Sequence, residues 1–184
     1  MSPKPYRLGI LVGRFQTLHL GHEDMIGKAL ELCDRVGLFI GSSQESGTWV
    51  NPFPYELRRG MLEAAFPEAL SVYPLPDIGV GNNGTWGDYV LDNVRSRLGA
   101  LPDLLISGKE ERRKSWFDHV EGLAIAELYV PKTVDISAST LRQYLLDGDF
   151  EAWKAYVNPV HWARWDELRR LTLLARDHRE TDSL

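Results

Sequence analysis

The chain has 184 residues, 43% of them hydrophobic and 26% charged, with a formal net charge of −5. That length supports one domain with a real core, and the acidic balance argues against a general nucleic-acid or membrane-surface binder, which needs a basic face. A single cysteine, Cys33, excludes an internal disulfide and suits a reducing, cytoplasmic setting; no apolar run has the length of a bilayer span, and the N-terminal one is too short for a secretory signal.

The first predicted element is a buried strand, Tyr6 to Gly13 (YRLGILVG). Apolar residues at Met25, Ile26, Ala29, Leu30 and Cys33 form a helical stripe over Glu23 to Arg35. Arg35 to Ser42 (RVGLFIGS) is a second strand. A helix follows from Pro54 to Phe66, with proline in an accepted first-turn position. Leu70 to Pro76 is a third strand. Trp86, Val90, Val94 and Leu98 recur four apart on a helix from Thr85 to Leu98. Pro102 to Gly108 is a fourth strand, a charged helix covers Lys109 to His119, and Ala124 to Val130 is a fifth strand. Ser137 to Leu146 reads as a helix stopped by Gly148. The last helix opens at Asn158-Pro159 and runs to about Arg179.

Strands alternating with helices, and strands that are continuously apolar, predict a parallel sheet covered on both faces. The expected fold is a Rossmann-like, doubly wound α/β sheet of five strands in one domain, 1–184, with a C-terminal helical part at about 138–179. Ligands of such sheets bind outside the carboxyl ends of the strands. The five loops at that edge are rich in Gly, Ser, His, Arg and Asn, the donors that a phosphate compound requires.

The first of these loops, GRFQTLHLGH (Gly13 to His22), carries two histidines three residues apart at a helix start. Free N–H groups and the helix dipole favour an anion there, and His19 and His22 share a face if the turn is helical. By spacing alone a capped helix with two surface histidines explains the same residues. No third ligand accompanies them, so no metal site is read. Ser137 and Ser139 serve equally as helix caps, Arg142 as a surface arginine, and Arg58 as a partner of Glu56 or Glu63.

GRFQTLHLGH resembles the H-x-G-H signature of the nucleotidylyltransferases, and ISASTLR (Ile136 to Arg142) resembles their I-S-x-S-x-x-R signature. The resemblance extends over nearly the whole chain. In detail it is to the archaeal-type nicotinamide-mononucleotide adenylyltransferases, through Gly41 to Arg58, Pro74 to Trp86, Ile106 to Gly108 and Leu145 to Phe150. Thr17 stands where the family has proline, Gly47 stands where histidine is common, and the Asp77-to-Trp86 loop is longer.

The resemblance implies transfer of AMP from ATP to nicotinamide mononucleotide, giving NAD and pyrophosphate. It implies that His19, His22, Arg14 and Arg142 carry the catalysis. Gly13, Phe15, Gln16, Gly21, Ser107, Gly108, Ile136, Ser137 and Ser139 would complete the ATP pocket. Gly41, Ser42, Arg58, Asp77 and Trp86 would face the acceptor, Trp86 against the pyridine ring, although its spacing fits a core residue equally well. Mg²⁺ is expected on the triphosphate, with no carboxylate cage of its own. A different phosphate acceptor, or a nucleotide sensor without catalysis, stays open, as does assembly into homo-oligomers through the tryptophan-rich C-terminal segment.

Overall fold

The computed structural model describes residues 3–108 and 116–181. Five strands, β1 (Tyr6–Gly13), β2 (Cys33–Gly41), β3 (Ser71–Leu75), β4 (Leu104–Ser107) and β5 (Ala126–Tyr129), form one sheet in the order β3-β2-β1-β4-β5. Every pairing is parallel. The helices are α1 (Leu20–Leu32), α2 (Tyr55–Ala65), α3 (Gly84–Leu98), α4 (Ala138–Asp147), α5 (Phe150–Lys154) and α6 (Trp165–Thr181). A 3-10 helix, Pro159–Arg164, joins α5 to α6.

The central strands show why the sheet is covered on both sides. On β1, Leu8 and Ile10 enter one buried cluster and Leu11 enters the other; on β2, Phe39 enters the first, and Val36, Leu38 and Ile40 the second. This is the period-two alternation of a pleated strand. Trp86, Val90, Leu91, Val94 and Leu98 of α3 cover the first face. Residues of α1, α2, α4, α5 and α6 cover the second. A Cβ at Gly37 would stand 2.6 Å from Leu98 Cδ1, so glycine at that point lets α3 approach the sheet.

Three boundaries differ from expectation. Cys33 opens β2 instead of closing α1: the helix passes into the strand without a loop, and Cys33 takes an extended conformation with φ −118°. An isolated apolar residue fits both periods, and here its sulfur packs over Gly9 of the neighbouring strand, where a Cβ would meet it at 2.4 Å. The expected helix at Lys109 to His119 lies largely outside the described residues, and Trp116 to His119 form a tight turn. α5 was not expected; Asp149 starts it by accepting from the Ala152 N–H at 3.0 Å.

Candidate active site

β1 lies at the switch point of the sheet: β2 and β3 extend to one side of it, β4 and β5 to the other. A crevice must open there beyond the carboxyl ends of the strands. A cavity of about 550 Å³ occupies it, and the loops after all five strands contribute to its lining.

The two histidines sit where β1 delivers the chain to α1. His19 is the N-cap, extended at φ −148°, ψ 166°, and its Nδ1 accepts from the His22 N–H at 3.2 Å. With Nδ1 accepting, the neutral ring carries its proton on Nε2. The rings of His19 and His22 stack with centroids 3.7 Å apart and planes 20° apart. A Cβ at Gly21 would lie 3.1 Å from His19 Nδ1, so the glycine inside H-x-G-H leaves room for the His19 ring to fold back over the helix start. Phe15 backs the His22 ring with centroids 5.0 Å apart. Burial, and then the charge of Lys132, lower the His19 pKa to about 4. Burial, His19 and Lys132 hold His22 well below the ordinary histidine value. Both rings are therefore neutral at pH 7.

The second signature lies on the same cavity. Ser137 caps α4, its Oγ accepting from the Thr140 N–H at 3.1 Å. The cap role and a place in the cavity lining coexist in this residue. Arg142 donates from Nη1 to the Gln16 carbonyl at 2.7 Å and from Nη2 to Ser139 Oγ at 3.4 Å; its buried Nε has no partner among the described residues. Arg14 is exposed at the cavity lining. Burial, with Arg14 second, lowers the pKa of Arg142. Cations are thus held close together here, an arrangement that favours an anion. Gly13, Ser107, Gly108, Ile136 and Gly41 also line the cavity.

On the β3 side, Asp77 accepts from Ser42 Oγ at 2.5 Å, and Gln44 clasps the Asp77 backbone through its amide. Trp86 combines the two readings left open by its spacing. It belongs to the buried cluster under α3, with Trp116 set edge-on at 6.1 Å, and it also lines the cavity. Its Nε1–H is buried without an acceptor among the described residues.

Two residues depart from their expected places. Arg58 does not line the cavity. Only 1% exposed, it donates to the carbonyls of Arg14 and Gly41 at 2.9 Å, of Ser42 at 3.0 Å and of Pro54 at 3.5 Å. Burial, then Arg14, lower its pKa to about 10. It braces the exits of β1 and β2, with its guanidinium turned to the backbone. It does not pair with Glu63, which is taken by Arg59 at 2.7 Å. Gln16 lies at the cavity, but its amide is committed to the backbone of Phe53, accepting at 2.9 Å and donating at 3.2 Å. Sequence reasoning missed Lys132, Asn82 and Trp116, all of which line the cavity. The first two sat in loops already assigned to the ligand edge, which was the available signal.

Residues 10–181 match the cytidylyltransferase-like family. The chain belongs to that family. This cytidylyltransferase-like chain is 40% identical over 156 residues to the nicotinamide-nucleotide adenylyltransferase of Pyrococcus furiosus, covering 81% of the chain and 77% of that relative. It is 40% identical over 88 residues to the enzyme of that name from Saccharolobus solfataricus, covering 45% and 50%. The chain spans about half the length of several such relatives, those of Saccharolobus solfataricus, Thermococcus kodakarensis and Pyrococcus horikoshii among them. The fold is shared with a bifunctional NMN adenylyltransferase/ADP ribose pyrophosphatase from Francisella tularensis, solved with AMP and a manganese ion: TM-score 0.76, 20% identity, 97% of this chain and 54% of that one.

Proposed function

We propose that this chain transfers AMP from ATP to nicotinamide mononucleotide, forming NAD and pyrophosphate. The observation that carries the reading is the stacked, neutral histidine pair at the start of α1, sharing one cavity with Arg14, Arg142 and the capped N-terminus of α4. The relatives that share about 40% of aligned residues carry the name of this activity.

The acceptor phosphate has a second pKa of about 6, so at pH 7 it is mostly a dianion and needs no general base. An oxygen of that phosphate forms a bond to the α-phosphorus of ATP as the bond to the β-phosphate oxygen breaks and pyrophosphate departs. The protein must bring two anions together and stabilise the spreading charge. Neutral imidazole N–H groups and the Arg14 and Arg142 guanidiniums do this without a nucleophile from the protein. Ser137, Ser139 and the first N–H groups of α4 hold the β and γ phosphates.

The divalent cation, Mg²⁺, enters on the triphosphate, whose oxygens and water are its usual ligands, and neutralises part of its charge. The acceptor lies against Trp86 near Asp77, a carboxylate that repels the acid form of the mononucleotide. An electron-poor pyridinium over an indole gains about 1–2 kcal/mol when partly desolvated. No helix among the described residues is long and apolar enough to cross a membrane, and the buried free thiol of Cys33 fits a reducing cytoplasm.

The test is pyrophosphate release by purified protein with ATP or CTP against a panel of phosphate monoesters. Nicotinamide mononucleotide with MgATP gives NAD; the acid mononucleotide and CTP turn over more slowly. Tight ATP binding with no turnover on any acceptor would instead make the protein a nucleotide sensor.

A further inference from the structure

We propose that Lys132 is a phosphate-binding cation of this cavity, gripping the β,γ end of the triphosphate and the pyrophosphate that leaves; the proposal rests on the adenylyltransferase reading above. Lys132 is exposed on the loop that follows β5, and among the described residues no other lysine lines the cavity. The loop is fixed on both sides of it. The Val130 N–H donates to the Ser107 carbonyl at 2.9 Å, which joins the start of the loop to the end of β4. Thr133 Oγ1 donates to Asp24 Oδ2 at 2.9 Å, which ties the residue after Lys132 to α1, two positions beyond His22. The backbone is thus held at the cavity while the long side chain keeps its reach.

The arginines of α2 and α4 leave a place for such a group. Arg142 has committed Nη1 to the Gln16 carbonyl and Nη2 to Ser139. The Arg58 guanidinium is turned wholly to backbone carbonyls. A triphosphate brings several negative charges, and its terminal phosphates change position as the bond to the α-phosphorus breaks. An ammonium on a flexible stem follows that change better than a braced guanidinium. Lys132 also stands close enough to the histidine pair for its charge to contribute to lowering both pKa values. The pair and the lysine therefore face one volume, where a bound phosphate would compensate the lysine charge.

Equilibrium binding of MgATP, AMP and inorganic pyrophosphate to the wild-type, Lys132→Met and Lys132→Arg proteins tests the assignment. Lys132→Met should weaken MgATP and pyrophosphate about ten- to a hundredfold, leave AMP unchanged, and flatten the salt dependence of binding. Lys132→Arg should retain most of the affinity. In the free protein, Lys132→Met should also move the His19 titration, followed by NMR, up toward the ordinary histidine value. Wild-type affinity for MgATP and pyrophosphate in Lys132→Met, or an equal loss for AMP, would overturn the role of Lys132 and leave the adenylyltransferase reading standing. Failure of the wild-type protein to bind MgATP at all would remove that reading, and the assignment with it.

Discussion

His161 supplies a test of the fold that is independent of catalysis. It lies in the 3-10 helix Pro159–Arg164, is 0% exposed, and neither ring nitrogen has a partner among the described residues. Burial, with Arg164 second, lowers its pKa from 6.5 to about 4. The unfolded chain therefore binds a proton more readily than the native one. The stabilising effect of keeping this ring neutral is complete above pH 6.5 and is lost as the pH falls toward 4. At 1.36 kcal/mol per unit, the 2.5 units between 6.5 and 4 correspond to roughly 3 kcal/mol. His161→Met keeps an apolar side chain of similar size and removes the titration. For a chain of this length, roughly 3 kcal/mol is about 6–12 °C in melting temperature. Melting curves from pH 7.5 to 4 should therefore show a smaller decline for His161→Met than for the wild type, by about that amount. His19 and His22 titrate in both proteins, so the difference between the two curves isolates His161. Parallel curves would show that the ring is not held neutral by its surroundings, and the argument from burial would fail.

Three further outcomes follow from the site. His22→Ala should lower kcat roughly a hundredfold, the usual cost of losing one donor to developing charge, while ATP binding measured by titration falls far less; unchanged kcat would remove the histidine from the reaction. Trp86→Ala should raise the acceptor KM several-fold with little change in the ATP KM, and it should also lower stability by about 3 kcal/mol or more, because the ring is part of the core under α3; a stability loss with an unchanged acceptor KM would make it a core residue alone. Arg58→Met should leave the chain measurably destabilised, by at least about 1–3 kcal/mol, since four carbonyls lose a donor, and it should weaken both substrates together; an effect confined to the acceptor KM would return Arg58 to direct contact with that phosphate.

The central strands β1, β2 and β4 were legible because they are buried apolar runs, the half-buried edge strands β3 and β5 because short apolar stretches lie between helical patterns, and the order of elements followed. The histidines and Ser137 were legible locally only as helix starts, where His19 caps α1 with its ring and Ser137 caps α4 with its hydroxyl, and it was the resemblance of the two motifs that singled them out as site residues. What failed to show depended on tertiary direction. Position 58 reads as one more helical arginine, and nothing local says that its guanidinium turns inward to four carbonyls. Cys33 fits a helical and an extended period alike, and only the pairing with Tyr6 across the sheet decides between them. Lys132 sits in an exposed polar loop, where a lysine is ordinarily solvated. Its place at the cavity comes from contacts to β4 and α1, elements far away in the chain.

The brace formed by Arg58 bears on how such a scaffold diversifies. Its guanidinium reads only main-chain oxygens, at Arg14, Gly41, Ser42 and Pro54. Any residue presents the same oxygen. The brace itself therefore sets no requirement on the side chains at those positions, and in the loop between β2 and α2 the fixed point is Phe53, which is wholly buried in the core. Under the proposed function, recognition of the acceptor can drift through the exposed positions of this loop, Gln44, Ser46, Thr48 and Val50, as long as Phe53 and Arg58 are kept. Selection on the anchor and selection on the substrate act on separate residues.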